Sequence, residues 1–484
     1  MKDIKKNFIY NISYQILKII LPFITMPYVS RVLGASGIGA YSYTYSIMYY
    51  FLIVAMLGIN NYGNRSVAKC RDDRKNLSSI FKEIYSFQIV SSIFACILYL
   101  LYIIIFDVQY KNLALIQTIY LISCCFDINW FFFGLEKFKI TVTRNIVIKI
   151  ISLVFIFIFV KDSNDLWKYT LILSAGTLIS QLLLWPFVNK YVDKVKVSFK
   201  NVVKHFVPCL KLFLPVIAVT IYKIMDKTMI GFLYNISDVG FYDNAEKIIT
   251  VPIVLVDALG TVMLPRMTNI YNNKSKNINP DSIIKKSMML IMFFAFSMSF
   301  GLVSIAKDFS ILFFGKEFIK TGVLIQYLSV TIIFLAWGNV IRTQYLIPKE
   351  KDKEYIISAF IGAIVNFFLN IIFIPKYGAT GACIGTIAAE FFVMFYQTMS
   401  VKNDLPIKEY VADSIPYMIK SIIMLIIIYP INYFKMDIIF KLIVQMIIGC
   451  FIYFLLNIDY IDSIINLKKI KNIFKRKKVN NAKN

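Results

Sequence analysis

Apolar runs of about twenty residues alternate along this chain with short polar breaks. Fourteen runs stand out, at about 8–31, 39–61, 82–106, 112–133, 145–160, 166–188, 209–233, 247–265, 287–306, 321–346, 355–374, 378–400, 415–434 and 438–457. A helix needs about 20 apolar residues to cross a hydrocarbon core about 30 Å thick. The pattern therefore predicts an all-α polytopic membrane protein with about 14 transmembrane helices. The weakest breaks are 161–165 and 435–437, each only a few residues long.

Composition agrees with the pattern. The 484 residues are 58% hydrophobic and 17% charged, whereas soluble domains carry about 45–50% and about 25%. A soluble enzyme, a disordered chain and a coiled coil are excluded. Lys and Arg number 53 against 28 Asp and Glu, a net charge of +25. In a soluble protein that balance points to nucleic acid. Here the basic residues cluster between apolar runs, so no nucleic-acid partner is expected. With the N-terminus in the cytoplasm, 37 basic residues fall in inner segments and 11 in outer breaks. Basic loops are retained inside, which predicts a multi-pass membrane protein with both termini cytoplasmic. The tail from residue 461 to 484 is polybasic, suited to anionic lipid.

Catalytic chemistry has little to stand on. The outer breaks are short, no inner loop is long enough for a nucleotide-binding fold, and GxxxxGK[ST] is absent. The seven Cys lie in apolar runs or beside basic loops, so no disulfide framework is expected. The one histidine is His205. No metal site, catalytic residue or resident cofactor is expected. The opening MKDIKKNFIYNISYQ has no small-residue cleavage site and reads as a retained first helix.

Two stretches echo one another: SRVLGASGIGAYSYTYSI from Ser30 and DKTMIGFLYNISDVGFYDNAEKI from Asp226. Each carries a basic residue, a Leu-Gly or Ile-Gly pair, and then Gly-x-Tyr at 39–41 and 240–242. The echo makes spans 1 and 7 equivalent and the repeat six spans long. Two such halves share one orientation and leave a cavity between them, an arrangement that works by alternating access.

Polar groups within the spans supply the candidate chemistry. Intramembrane Lys or Arg costs about 2.5–3.5 kcal/mol on insertion scales and normally faces a bundle interior or water. In span 1, Asn11, Tyr14, Gln15, Lys18, Pro22 and Thr25 share a helical face. In span 7, Thr220, Lys223, Asp226 and Lys227 do the same, and Lys223 can pair with Asp226 at i, i+3. Arg342 follows Asn339 by one turn. Lys18, Lys149, Lys223, Lys227 and Arg342 outnumber Asp127, Asp226, Asp257 and Glu390 inside the spans, so the excess calls for an anionic ligand. The acids are candidates for coupling H+ or Na+ movement to transport, above all Asp226, Asp257 and Glu390. Span 2 is rich in tyrosine, and Tyr45 and Tyr49 can form a sugar-stacking wall.

The stretch DINWFFFGLEKFKITVTRNIVIKII, Asp127 to Ile151, carries a W-F-F-x-G-x-E-x-F-K core. It resembles the Wzx-type O-antigen and capsule repeat-unit flippases, in the multidrug/oligosaccharidyl-lipid/polysaccharide exporter superfamily. Both echo segments and NIIFIPKYGATGACIGTIAAEF, from Asn370, resemble the same family. The resemblance implies two six-helix lobes around a central cavity, here 1–200 (helices 1–6) and 201–402 (helices 7–12). Helices 13 and 14 follow at 403–460. It implies translocation of an undecaprenyl-diphosphate-linked oligosaccharide from the inner to the outer leaflet, with cation coupling. Membrane lipids, and the polymerase and glycosyltransferases of the same pathway, are the implied partners. Arg31 matches the basic position ending span 1, and Asp226 and Lys227 the acidic-basic pair of span 7. The phosphate-binding set expected is Lys18, Arg31, Lys223, Lys227 and Arg342.

Rival readings are a lipid II flippase, a cation-coupled multidrug antiporter of the same superfamily, and a membrane-embedded polysaccharide polymerase or glycosyltransferase. The basic excess within the spans disfavours the antiporter. The missing outer catalytic loop disfavours the enzymes.

Overall fold

The computed structural model describes residues 2–106, 108–273 and 279–465. Side chains are described from residue 20 onward, apart from scattered positions between 214 and 222 and beside the gaps. Among the described residues there are helices and turns and no strand. Each of the fourteen apolar runs lies mostly on helix, with short breaks inside some, as at 126–128.

The residues form two compact units. Unit 1 comprises 1–244, 313–318 and 359–389. It is built from α1 (Lys2–Met56), α2 (Ile59–Cys70), α3 (Arg74–Ile105), α4 (Lys111–Cys125), α5 (Asn129–Gly134) and α6 (Phe138–Phe159). Next come α7 (Leu166–Leu182), α8 (Trp185–Val188), α9 (Phe199–Val203) and α10 (Phe206–Leu233). It also takes the start of α11 (Ile236–Asn273). Unit 2 comprises 245–312, 319–358 and 390–484. It holds the rest of α11, α12 (Pro280–Phe314) up to Leu312, α13 (Ile319–Leu328) and α14 (Thr331–Ile341). Residues 359–389 of unit 1 come from α15 (Asp352–Tyr377) and α16 (Ala379–Ser400). The remainder of those two helices belongs to unit 2, with α17 (Ile407–Ile428), α18 (Ile438–Leu456) and α19 (Ile458–Ile465).

Eleven helical stretches of the described residues are long and apolar enough to cross a membrane, and a pair bent by 43° at α13–α14 makes a twelfth. The stretch Ile20–Cys70 counts once but carries two of the sequence's runs. At 55 residues α1 would be about 80 Å long if straight, over twice the bilayer core of about 30 Å. It breaks at Gly34 (φ 66°, ψ 179°), a conformation open in practice only to glycine.

Helix α3 shows why these helices belong in lipid. Its buried face carries Gln88, Ser92 and Ala95 among larger apolar residues. Its exposed face carries Ile93, Phe94, Ile97, Leu101 and Ile104. Membrane helices pack through small and polar residues and leave bulky aliphatic ones to the solvent that matches them. Polar side chains also start the helices. Asp73 accepts from the amides of Lys75 and Asn76 at the N-terminus of α3, and Asp437 does the same for Ile439 and Phe440 at α18. Each such cap is worth about 1 kcal/mol.

In unit 1 the aromatic core is centred on α5. Trp130, Phe131 and Phe132 have no exposed surface, and Trp130 Nε1 donates to Gln88 Oε1 at 2.8 Å. Gly63 of α2 lies flat on the Trp130 ring, where a Cβ would meet the indole. The same segment is anchored by Arg144 of α6. Its guanidinium donates to Asn129 (2.9 Å), Asn145 (2.7 Å) and Gln181 (3.3 Å). Asn129 in turn donates through its side chain to Asp127 Oδ1 at 2.7 Å. The W-F-F-F-G stretch is thus a packed anchor with a polar clasp, and its Glu136 pairs with Arg71 in the loop after α2. Nearby, Arg74 grips Asp193 through two bonds of 2.9 and 2.7 Å, which holds the Asp193 carboxyl below the usual carboxylate range.

A second device recurs in unit 1. Gly34-Ala35-Ser36-Gly37 and Gly378-Ala379-Thr380-Gly381 share a Gly-Ala-(Ser/Thr)-Gly pattern. The leading glycine has positive φ in both, 66° and 58°. The following alanine amide donates to a carboxylate from elsewhere in the unit: Ala35 to Glu317 at 3.1 Å and Ala379 to Asp238 at 2.8 Å. A left-handed glycine turns the chain, and a carboxylate satisfies the first amide of the helix that follows.

Candidate functional site

The acid of span 7 accepts four hydrogen bonds in unit 1. Asp226 of α10 is 3% exposed. Its Oδ2 accepts from Tyr242 Oη of α11 at 2.6 Å and from Thr386 Oγ1 of α16 at 2.7 Å. Its Oδ1 accepts from Asn366 and Asn370 of α15 at 2.9 and 2.6 Å. All four donors are neutral. Four helices converge there because each contributes a polar residue inside an otherwise apolar run, and Asn366 and Asn370 share a face at i, i+4. Gly385 leaves room for the Asn370 amide, since a Cβ would strike its oxygen. Asn370 Oδ1 is buried and has no hydrogen-bond partner among the described residues. A carboxylate ringed by hydroxyl and amide groups can hold a proton, or a hard monovalent cation through the same oxygens.

The neighbouring residue does something different. Lys227 Nζ lies 2.9 Å from Asp243 Oδ1, with side chains 19% and 5% exposed. Residues 226 and 227 of α10 therefore bond residues 242 and 243 of α11 in order, one neutral contact and one ionic. The expected Lys223–Asp226 pairing is replaced by the four neutral donors, and Lys223 is exposed. Arg31 is exposed, and its Nη1 donates to the Pro27 carbonyl at 2.9 Å. Lys18 lies on α1 with its side chain outside the described set. Thr25 of the span 1 face bonds back to the carbonyls of Leu21 and Pro22.

Unit 2 contains the other candidates. Arg342 opens a π-helical turn, Arg342–Leu346, at the end of α14. Such turns insert a residue and recur at functional sites. The Arg342 guanidinium is 3.9 Å from Asp257 of α11 and stacks near the Tyr355 ring, 5.7 Å from its centroid. Asp257 Oδ1 accepts from Asn339 Nδ2 at 2.7 Å. Gly260 makes this crossing close, because a Cβ there would meet Asn339 and Thr343. Glu390 is buried in α16. Lys227 and Arg342 thus face carboxylates.

Sequence reasoning missed Asp243, Tyr242, Asn366, Asn370 and Thr386. The two asparagines were findable, as polar residues four apart in an apolar run. Asp243 was not, because its contact depends on how α10 and α11 cross.

Known proteins resemble this chain along most of its length. The profile of the polysaccharide biosynthesis protein family matches residues 4–271. A putative O-antigen transporter of Shigella dysenteriae is 22% identical over 405 residues, covering 82% of this chain and 100% of the relative. The capsular polysaccharide biosynthesis protein CapF of Staphylococcus aureus is 20% identical over 399 residues, covering 80% of this chain and 97% of that protein. A solved structure of the lipid II flippase MurJ, in an inward closed conformation, has the same fold. The TM-score is 0.72 at 22% identity, over 95% of this chain and 99% of that one.

Proposed function

Because this chain belongs to the polysaccharide biosynthesis protein family, we infer that it is a membrane transporter, not an enzyme. It is a flippase that carries a lipid-linked oligosaccharide across the bilayer for O-antigen or capsule biosynthesis. The observation that carries this reading is the family match over 4–271, joined by relatives named as an O-antigen transporter and a capsule biosynthesis protein along 80% or more of the chain. The physical task fits the polar interior. A glycan and its phosphates cannot cross hydrocarbon unaided, while the lipid tail gains nothing by leaving it.

The finer reading is also ours. The carrier is an undecaprenyl diphosphate, moved from the inner to the outer leaflet of a bacterial cytoplasmic membrane by alternating access of two six-helix lobes. Both termini are cytoplasmic. Lys18, Arg31, Lys223, Lys227 and Arg342 are the proposed phosphate-binding set. Lys223 is the best placed of these, since it is exposed and on the same helix as the Asp226 cage. Lys227 and Arg342 must first exchange a carboxylate for a phosphate. Coupling to H+ or Na+ runs through Asp226, with Asp257 and Glu390 as further candidates. The Asp226 cage supports this choice, because a carboxylate with only neutral donors leaves a charge for a small cation to balance.

The test uses vesicles containing the purified protein and a fluorescent undecaprenyl-diphosphate glycan in the inner leaflet. Outward movement that needs the protein supports the reading. Movement equal to that in protein-free vesicles overturns it.

A further inference from the structure

Unit 1 contains a tyrosine cluster that neither packing nor the coupling cage accounts for. Tyr41, Tyr45 and Tyr49 follow one another at i, i+4 and i+8 on α1, facing Tyr120 of α4 and Tyr169 of α7. Tyr41 and Tyr45 are stacked with centroids 5.8 Å apart and planes at 18°. Tyr120 meets Tyr45 edge-on at 5.3 Å, and Tyr169 meets Tyr41 edge-on at 5.1 Å. The hydroxyls of Tyr41 and Tyr120 bond each other at 3.0 Å. Lys227 and Asp243 lie within electrostatic reach of Tyr45, and Asp243 within reach of Tyr169. Five helices thus bring aromatic rings, hydroxyls and an ion pair to one place.

Two facts separate this cluster from a core. Phenylalanine would pack as well without a hydroxyl to desolvate. The second fact is position. Tyr41, Tyr45, Tyr120 and Tyr169 pack ring against ring, yet Tyr41, Tyr45, Tyr49, Tyr169 and Lys227 keep accessible surface. Packed rings that keep accessible surface leave faces open to a ligand.

We propose that this wall is the glycan subsite of unit 1, where a pyranose ring of the oligosaccharide stacks on the tyrosine faces while Lys227 and Asp243 bond its hydroxyls. It rests on the flippase reading and deepens it. Sugars suit such a wall. A pyranose has an apolar C–H face for an aromatic ring and a rim of hydroxyls that both donate and accept. An ion pair offers both complements at once: ammonium N–H to donate and carboxylate oxygen to accept. It also gives Lys227 a role while its bond to Asp243 is kept. The subsite and the Asp226 cage share α10 and α11 at consecutive positions, so a shift of one helix against the other is felt at both.

Binding to the protein in nanodiscs tests this with two probes. One is the lipid-linked saccharide that accumulates in cells lacking this chain; the other is undecaprenyl diphosphate bearing no sugar. In Tyr45→Ala/Tyr169→Ala, affinity for the glycolipid is expected to fall about tenfold or more, towards that of the bare lipid. Affinity for the bare lipid stays unchanged. Tyr45→Phe/Tyr169→Phe keeps the rings and most of the glycolipid affinity. Equal losses for both probes, or none, overturn the proposal. A measurement on the unaltered protein covers the case in which the alanine variant does not fold. Nitration by tetranitromethane, mapped by mass spectrometry, should be blocked at Tyr45 and Tyr49 by the glycolipid and not by the bare lipid. Equal nitration with both probes also overturns the proposal. If the unaltered protein flips neither probe, the flippase reading is what fails.

Discussion

Gly39 of α1 and Gly240 of α11 meet backbone to backbone in unit 1. A Cβ on Gly39 would fall on the Ile236 carbonyl, and one on Gly240 on the Ala35 carbonyl. Each glycine faces the residue four before the other, so the contact is reciprocal. These are the glycines of the two Gly-x-Tyr echoes. The internal resemblance read from sequence therefore corresponds to a physical crossing of the two copies.

That crossing has no room for a methyl group. Gly39→Ala or Gly240→Ala should cost about 1–3 kcal/mol through overpacking, and valine more. Thermal unfolding in detergent checks this. Gly301→Ala is the control, since a Cβ there meets nothing within 4 Å. A Gly39→Ala protein as stable as the Gly301→Ala protein would refute the close approach.

Asp226→Asn should leave folding intact and abolish the dependence of transport on an ion gradient. The amide fits the same space, and the Tyr242 and Thr386 hydroxyls can turn to accept from it. Vesicle assays with and without imposed proton and Na+ gradients give the answer. Retained gradient dependence would remove Asp226 from the coupling role.

The Lys227–Asp243 pair should show strong non-additivity. Asp243→Ala strands a largely buried ammonium and is expected to destabilise by about 3–5 kcal/mol. Lys227→Met/Asp243→Leu removes both charges and should recover most of that stability. Chemical unfolding of the single and double variants measures the cycle. Additive losses would mean the pair is not coupled.

Trp130→Phe leaves the ring volume nearly filled but orphans Gln88 Oε1. A loss of about 1–3 kcal/mol is expected for a buried acceptor without its donor. No change in the unfolding midpoint for Trp130→Phe would show that the Trp130–Gln88 bond contributes nothing.

The fold was readable because hydrocarbon thickness imposes one length on every span, and all fourteen runs are mostly helical. The ends were readable where a break contains glycine, as at Gly34. Contacts between helices were less so. Lys223 and Asp226 share a face, yet Asp226 turns to Tyr242, Asn366, Asn370 and Thr386, donors already inside the bundle, while Lys223 remains exposed. Spacing along one helix cannot register donors arriving from three others. The π turn at Arg342–Leu346 defeats the helical wheel in another way, because an inserted residue rotates every later side chain relative to the count. Arg144 falls in the polar break between the runs 112–133 and 145–160. Its enclosure by Asn129, Asn145 and Gln181 follows from how α5, α6 and α7 meet.

The outward-facing isoleucines and phenylalanines of α3 bear on handling at the bench. Water offers these residues no shelter, and the interior they would retreat into is already filled by Gln88, Ser92 and Ala95. Stripping away the amphiphile belt should therefore drive molecules to coat one another before any helix unwinds, so detergent or nanodisc must accompany the chain from extraction to the final assay.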